Sequence, residues 1–185
     1  MRQVRGPERM SDASFRIMEA LFAIQDTLFP YIDRRARLFG IEAGMTVVDY
    51  GCGPGRYTVR FARLAGPSGR VYALDIQELA VEAVRRRCAR EGLGNVEAVL
   101  VRGYDSGLPA GIADRVCAID MFFSVRRPGD FLAEVARLLA PDGLLILDDG
   151  HQSRAATRRK LGASGLFETV EETRDHLKCR KRETS

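Results

Sequence analysis

The sequence predicts an α/β fold, with a mostly parallel sheet and helices on both faces. Through the middle of the chain, short runs rich in valine, isoleucine and leucine alternate with amphipathic helical patterns. Three glycines at alternate positions, Gly51, Gly53 and Gly55, follow the first of these runs. Because parallel strands are joined by right-handed crossovers, the connecting helices are expected to cover both faces of the sheet.

Two helices are predicted before the sheet begins. Apolar side chains recur at helical spacing over Ala13–Phe29, and a proline ends the run. A second, short helix is expected over Tyr31–Phe39. We interpret residues 1–40 as an N-terminal helical extension or lid, and residues 41–185 as the main domain.

The strands and helices of the main domain follow in strict alternation. The predicted strands are Met45–Tyr50, Arg70–Leu74, Val96–Val101, Arg115–Ile119 and Leu144–Leu147. The predicted helices between them are Arg56–Ala65, Gln77–Glu91 and Gly129–Leu139. The last helix is expected to stop at a Pro-Asp-Gly turn. A polar helix and an antiparallel pair of charged edge strands complete the chain, at Ser153–Leu161, Leu166–Thr173 and Asp175–Arg182.

The composition excludes several classes of protein. With 45% hydrophobic and 29% charged residues, the 185-residue chain has the balance of a globular domain rather than a disordered or collagen-like one. No run approaches the length of a membrane span, and the first residues lack the apolar segment of a signal peptide. The four cysteines have no CxxC pair, so neither a zinc site nor a redox motif is indicated, and we expect a cytoplasmic protein with reduced thiols.

The basic residues are mostly arginines. The net charge is +4, and only three of the 29 basic residues are lysines. Nucleic acid usually requires a concentrated basic face, so a nucleic-acid partner is possible but not favoured. The arginines expected on loops near the carboxyl ends of the strands are Arg56, Arg102, Arg126 and Arg127.

The glycine loop and two acidic residues indicate the kind of ligand. In such a sheet the ligand lies beyond the carboxyl ends of the strands, next to the first strand. A dinucleotide fingerprint is GxGxxG, whereas this loop is GxGxG and continues with Arg56. Asp49, beside the loop, repels a phosphate but attracts an ammonium group, and Asp75 ends the second strand, where a carboxylate accepts hydrogen bonds from ribose hydroxyls. S-adenosylmethionine, which has an amino-acid end, an adenosine end and no phosphate, fits both acids.

These motifs resemble the class I S-adenosylmethionine-dependent methyltransferases, most closely the small enzymes of the ubiquinone/menaquinone-biosynthesis type. The similarity lies in VVDYGCGPG at 47–55, GRVYALD at 69–75, GLP at 107–109, ADRV at 113–116 and FLAEVARLLAPDG at 131–143. The resemblance covers residues 41–183. It implies a Rossmann-like sheet of seven strands with an antiparallel last strand.

The resemblance also implies site residues. Asp49 and Gly51 are expected to contact the methionine end, Asp75 the ribose and Ile76 the adenine. Tyr104 or Asp105 is expected beside the adenine amino group, and Asp120 on the sulfonium side. The full set of expected cofactor-binding residues is Asp49, Tyr50, Gly51, Cys52, Gly53, Gly55, Asp75, Ile76, Tyr104, Asp105 and Asp120.

No catalytic residue is assigned from the sequence, because methyl transfer from an activated donor depends mainly on alignment. Asp120 and His151 are candidates, with His151 as a possible general base. Asp120, Asp148 and Asp149 together offer three oxygen ligands for a hard cation. The favoured interpretation is simpler: Asp149 caps the helix near residue 153, His151 is solvated, and no metal is bound. Where related enzymes have a histidine after the fourth strand, this chain has Phe123, which either lines an apolar acceptor pocket or belongs to the core.

The expected function is methyl transfer from S-adenosylmethionine to a small-molecule acceptor, at an oxygen, nitrogen or carbon atom. An RNA methyltransferase with an arginine-rich surface and a non-catalytic cofactor-binding module are the alternatives, and a homodimer is possible. Asp49 and the GxGxG spacing disfavour NAD-dependent redox chemistry. The aromatic side chains of the N-terminal helices either line the acceptor pocket or pack in the core, and they are Phe15, Phe22, Phe29 and Tyr31.

Overall fold

The computed structural model describes residues 10–28 and 31–182, and Phe29 lies outside them. The strands are β1 Thr46–Tyr50, β2 Arg70–Asp75, β3 Val96–Leu100, β4 Ala113–Ala118, β5 Leu139–Leu147, β6 Phe167–Glu172 and β7 Leu177–Lys181. The helices are α1 Asp12–Leu28, α2 Tyr31–Arg37, α3 Thr58–Ala65, α4 Glu78–Glu91, α5 Pro128–Leu138 and α6 Arg154–Ser164, and a short 3₁₀ turn lies at Phe122–Ser124.

The seven strands form one sheet in the order β3-β2-β1-β4-β5-β7-β6. Strands β1 to β5 pair in parallel, and β7 is antiparallel to both of its neighbours. The strand order reverses between β1 and β4, so their carboxyl ends flank the point where ligands bind in sheets of this kind. The predicted α/β class and the antiparallel last strand are confirmed.

Helices cover both faces of the sheet, as expected. On one face α5 and α6 pack against the larger core cluster, in which Phe131, Leu132 and Val135 are fully buried. On the other face α2, α3 and α4 pack against two smaller clusters that include Phe39 and Phe61. Burial of this apolar surface is the main contribution to the stability of the sheet.

The prediction that the last two strands both lie at the sheet edge is wrong for β7. Leu177 and Cys179 of β7 are fully buried, and the strand pairs with β5 on one side and β6 on the other. The charges that suggested an edge form cross-strand ion pairs with β6: Lys178 lies 3.0 Å from Glu171, and Arg180 lies 2.9 Å from Glu168.

Strand β5 begins five residues earlier than predicted. Ala113 of β4 pairs with Leu139, but Arg115 pairs with Leu144, so the intervening Pro-Asp-Gly segment forms an irregularity within the strand rather than a turn before it. A Cβ on Gly143 would lie 2.6 Å from the Ala113 carbonyl oxygen, which explains the glycine. The other predicted bounds agree with the structure or differ from it by at most three residues.

Helix α1 is docked on the rest of the fold through its amino-terminal half. Phe15 is buried against Ala80 and Ala83 of α4, and the Gln77 side-chain amide donates a hydrogen bond of 3.1 Å to Asp12. Whether residues 1–40 form a separate lid stays a prediction.

Among the described helices, none combines the length and the apolar character that crossing a bilayer requires.

Candidate active site

The loop after β1 is built from glycines in left-handed backbone conformations. Gly51, Gly53 and Gly55 have φ of 77°, 51° and 81°, which side chains with a Cβ rarely adopt. The backbone N–H groups of Gly51 and Cys52 both donate to the Leu74 carbonyl oxygen, at 2.8 and 3.0 Å. These bonds fold the loop across the ends of β1 and β2, where it forms one wall of a cleft.

Gly51 and Gly53 differ in how closely other side chains approach them, and alanine substitutions test that difference. A Cβ on Gly51 would lie 2.9 Å from Met121 Cγ, whereas a Cβ on Gly53 would meet no described atom within 4 Å. Gly53→Ala is expected to cost about 1–2 kcal/mol because of its φ alone. Gly51→Ala is expected to cost more, because Met121 must also move. Urea unfolding of both variants measures the difference, and equal losses would contradict this role of Met121.

Asp75, at the end of β2, lies under the loop. Its two carboxylate oxygens accept hydrogen bonds from the backbone N–H groups of Gly53 and Gln77, both at 2.9 Å. Burial raises the pKa of Asp75, and the N–H groups of Gln77 and Gly53 oppose that rise. The side chain is thus held in place by the backbone while each oxygen keeps a lone pair for a hydroxyl donor.

Asp49, in β1, is a buried carboxyl group that accepts a short hydrogen bond. The Thr58 hydroxyl donates to its Oδ2 at 2.5 Å. Burial raises the pKa of Asp49 to about 7, the Thr58 hydrogen bond opposes the rise, and the Asp75 carboxylate adds to it. A buried carboxyl group of this kind is stabilised in its ionised form by a cation placed beside it.

Two cavities lie on either side of the glycine loop and share Met18, Gly51 and Gly53 as lining. The larger, here the Asp75 cavity, has a volume of about 180 Å³, and the smaller, here the Asp49 cavity, about 170 Å³. The lining of the Asp75 cavity includes Tyr50, Asp75, Ile76, Val101, Tyr104 and Met121. The lining of the Asp49 cavity includes Asp49, Cys52, Arg56, Tyr57 and Asp120.

The structure brings nine of the expected cofactor-binding residues to these two cavities: Asp49, Tyr50, Gly51, Cys52, Gly53, Asp75, Ile76, Tyr104 and Asp120. The other two lie elsewhere. Gly55 is buried and lines neither cavity, and a Cβ there would lie 3.0 Å from Val84 of α4, so the close approach of α4 favours glycine at this position. Asp105 is exposed, and its carboxylate accepts a hydrogen bond from the Gly107 N–H group at 2.9 Å. Of the two residues expected beside the adenine, the cavity therefore contains Tyr104.

Cys52 behaves as a small buried residue. It is 7% exposed, and burial raises the pKa of its thiol well above the usual value, as do the carboxylates of Asp75 and Asp49. A thiol in this environment is a poor nucleophile.

Several lining residues were missed by sequence reasoning. Met18 of α1 contributes to both cavities. Phe22, four residues later and one of the aromatic residues predicted as lining, reaches the Asp49 cavity, where the Arg56 guanidinium lies over its ring at 4.2 Å. The position of Met18 between Phe15 and Phe22 on one helix face was the available signal. Thr58 carried no recognisable signal, because its pairing with Asp49 depends on the loop conformation.

A third cavity, here the Asp120 basin, opens beyond the Asp49 cavity and has a volume of about 440 Å³. Arg56, Tyr57 and Asp120 line both spaces, so the two are adjacent. The rest of the basin combines aromatic and charged residues: Tyr31, Arg35, Asp148, Asp149, Arg174 and Asp175. Of the predicted aromatic lining, Tyr31 faces this basin and Phe22 reaches the Asp49 cavity. Phe15 packs on α4 and also lines the Asp75 cavity.

The carboxylates considered as metal ligands already have cationic partners. Asp148 accepts a hydrogen bond of 2.7 Å from Arg35, and Asp149 binds Arg154 through contacts of 2.8 and 3.0 Å. Asp149 is not the helix cap: Ser153 is the N-cap of α6, with its hydroxyl accepting from the Ala156 N–H group at 3.3 Å. Two of the three proposed oxygen ligands are therefore used in ion pairs.

Phe123 contacts His151, edge-on, with ring centroids 4.8 Å apart. The imidazole Nε2 of His151 lies 3.8 Å from Asp120 Oδ1, and the His151 side chain is 77% exposed. Phe123 thus supports His151 rather than lining one of the three cavities described above.

Comparison with known proteins gives the family. A family profile described as "Methyltransferase domain" matches residues 41–180, which is most of the chain. The chain belongs to this family. The predicted resemblance, and with it the interpretation as an S-adenosylmethionine-dependent methyltransferase domain, is confirmed at the level of family and fold.

Curated relatives of this methyltransferase domain carry out different reactions. The nocamycin O-methyltransferase of Saccharothrix syringae is 36% identical over 114 residues, covering 62% of this chain and 41% of that protein. The ubiquinone/menaquinone biosynthesis C-methyltransferase UbiE of Hahella chejuensis is 32% identical, covering 58% of this chain and 44% of that protein. The chain therefore spans less than half the length of either relative.

Solved structures agree on the fold. A SAM-dependent methyltransferase from Aquifex aeolicus superposes with a TM-score of 0.82 at 22% identity, covering 92% of this chain and 98% of that one. A putative S-adenosyl-L-methionine-dependent methyltransferase from Methanococcus maripaludis gives 0.79 at 18% identity, covering 99% of both chains.

Proposed function

We propose that this chain transfers a methyl group from S-adenosylmethionine to a small-molecule acceptor. The observation that carries the proposal is the placement of Asp49 and Asp75 beside one glycine loop. Each acid lines its own cavity, and the two cavities share Gly51 and Gly53 as lining. A ligand with an ammonium group at one end and a ribose at the other matches this arrangement.

Each part of the cofactor has a complementary group. The Asp75 carboxylate accepts hydrogen bonds from the ribose hydroxyls, and Ile76 and Tyr104 enclose the adenine in the apolar part of the Asp75 cavity. The Asp49 carboxylate balances the ammonium group in the Asp49 cavity. Gly51 and Gly53 allow the backbone to approach the ligand closely.

When bound, S-adenosylmethionine supplies an activated methyl group and retains the electron pair of the broken carbon–sulfur bond. The protein contributes alignment and exclusion of water. Met18 and Phe22 of α1 close the cavities from one side, and Asp120 stands where the Asp49 cavity meets the basin. The acceptor therefore enters from the basin and meets the cofactor beside Asp120.

A small molecule fits the basin better than RNA does. Arginines along α3 and α4 pair with neighbouring acids: Arg63 of α3 with Glu91 of α4 at 2.8 Å, and Arg86 of α4 with Glu19 of α1 at 3.3 Å. The described surface there is a network of ion pairs rather than the concentrated basic face that phosphate backbones select. Because the four cysteines are buried free thiols, we expect the protein to work in the reducing cytoplasm.

Transfer of a labelled methyl group tests this proposal. The protein is incubated with labelled S-adenosylmethionine and, separately, with the small-molecule and RNA fractions of a cell extract. Label is expected in the small-molecule fraction alone. Label appearing in RNA would contradict the assignment of the acceptor class, and no transfer to either fraction would favour a non-catalytic role.

A further inference from the structure

One wall of the Asp75 cavity is a tight turn after β3, residues 102–105, here called the β3 turn. Gly103 and Tyr104 of this turn line the cavity. Arg102 and Asp105 pair as an isolated antiparallel bridge, and Gly103 has φ of 79°, which allows the chain to reverse between them. Because so short a turn has little packing of its own, its position relative to the sheet depends on contacts from other elements.

Tyr50, the last residue of β1, supplies such a contact. Its hydroxyl donates a hydrogen bond of 2.7 Å to the Tyr104 carbonyl oxygen, and both tyrosine side chains are buried. Strand β2 lies between β1 and β3, so the Tyr50 side chain reaches past one strand to hold the turn. Burial raises the pKa of the Tyr50 hydroxyl, and the Glu134 carboxylate adds to the rise, so the hydroxyl stays neutral and keeps its proton for this bond.

The ring of Tyr50 is held by the larger core cluster. Phe131 of α5 contacts Tyr50 and Tyr104 edge-on, with ring centroids at 5.0 and 6.1 Å. The Tyr104 hydroxyl accepts a hydrogen bond of 3.3 Å from the Arg127 N–H group. With the Tyr50 hydroxyl removed, the buried Tyr104 carbonyl oxygen loses its donor, which is unfavourable unless the turn moves toward water.

Tyr50 and Asp49 act on opposite faces of the sheet. They are neighbours in β1, so their side chains point to opposite sides. Asp49 contacts Thr58 of α3, whereas Tyr50 contacts Phe131 of α5. A change confined to the Tyr50 hydroxyl is therefore expected to leave the Asp49 carboxyl group as it is.

We propose that the Tyr50 hydroxyl is a positioning group that holds the β3 turn where it forms the wall of the adenine subsite. This inference rests on the proposed function, in which Ile76 and Tyr104 enclose the adenine. The Tyr50 hydroxyl acts through the Tyr104 carbonyl group, because its proton is used in that bond. The adenosine end of the cofactor depends on Tyr50, and the amino-acid end, at Asp49, does not.

Calorimetry of Tyr50→Phe with two ligands tests this positioning role. Phenylalanine keeps the ring against Phe131 and removes only the hydroxyl. The affinities for S-adenosylhomocysteine and for 5′-methylthioadenosine, which has adenine and ribose but no amino-acid end, are each expected to fall about tenfold. The dependence of S-adenosylhomocysteine affinity on pH, which comes from Asp49, is expected to persist, whereas a general disturbance of β1 would change it.

Tyr72→Phe is the matched control. Tyr72 is a half-buried tyrosine of β2 that packs against the larger core cluster and lines none of the three cavities described above. It is expected to bind both ligands as the wild type does. Wild-type affinity of Tyr50→Phe for 5′-methylthioadenosine overturns the inference. A loss confined to S-adenosylhomocysteine also overturns it, since that would place the effect at the amino-acid end.

Hydrogen exchange of the wild-type protein covers the case in which Tyr50→Phe does not fold. Bound 5′-methylthioadenosine is expected to slow the exchange of backbone amides in the β3 turn. Unchanged exchange with the ligand bound overturns the inference, because the turn would then not contact the adenosine end. A wild-type protein that binds S-adenosylhomocysteine while either test fails leaves the proposed function standing, whereas one that binds neither ligand removes both.

Discussion

Asp75→Ala is expected to weaken the binding of S-adenosylhomocysteine by about 100-fold while the domain stays folded. Hydrogen bonds to a charged acceptor contribute about 1.5–3 kcal/mol each, and the ribose offers two hydroxyls to this carboxylate. Isothermal titration calorimetry measures the affinity, and urea unfolding checks the fold. The effect is large because burial leaves the ribose hydroxyls with few water molecules to replace the lost acceptor.

Two further variants distinguish the contact of Asp75 with the ribose from its hydrogen bond to the glycine loop. Asp75→Asn keeps an acceptor oxygen for the Gly53 N–H group but loses the charge, so an intermediate loss of affinity is expected. Asp142→Ala removes an exposed carboxylate at the far end of the sheet and is expected to bind as the wild type does. Binding by Asp75→Ala within a few-fold of the wild type would show that Asp75 does not hold the ribose.

The affinity for S-adenosylhomocysteine is expected to rise about tenfold between about pH 6 and about pH 8. Burial raises the pKa of Asp49 to about 7, and only the ionised carboxylate attracts the ligand's ammonium group. Asp49→Asn should bind more weakly at high pH and show little dependence on pH over this range. An unchanged pH profile in Asp49→Asn would contradict the pairing of Asp49 with the ammonium group.

The same group sets the opposite trend for the stability of the ligand-free domain. The folded-state pKa of Asp49 lies above its unfolded value, so the folded state binds the proton more tightly and stability falls as pH rises from about 4 through about 7. This difference between the folded and unfolded pKa values corresponds to about 4 kcal/mol of folding free energy. Asp49→Asn should remove this decline in free energy of unfolding, as measured with urea at several pH values.

The site was predictable where a motif fixes both the residue and its place on a strand. Asp49 and Asp75 come at the ends of adjacent parallel strands, and the register pairs Asp49 with Ala73, so both acids must reach the same edge of the sheet. The sequence could not predict which of Tyr104 and Asp105 lines the cavity. This depends on the turn after β3, in which the Asp105 carboxylate accepts a hydrogen bond from the Gly107 N–H group and faces away from the cavity.

Contacts between segments far apart in the chain could not be predicted from the sequence, for a different reason. Arg35 joins Asp148 across 113 residues, and no local pattern in α2 signals that partner. The edge-strand prediction for β7 failed similarly, because alternating charges are compatible with either an edge or a strand whose charges pair with a neighbour. Such features are decided by tertiary packing, which overrides local propensity.

Calorimetry of the wild-type protein with S-adenosylhomocysteine and with NAD⁺ tests the central claim most directly. Binding of S-adenosylhomocysteine at one site per chain with micromolar affinity, and no measurable heat with NAD⁺, is the result expected from Asp49, Asp75 and the GxGxG loop. No heat with S-adenosylhomocysteine or S-adenosylmethionine, together with a saturable response to NAD⁺, would contradict it.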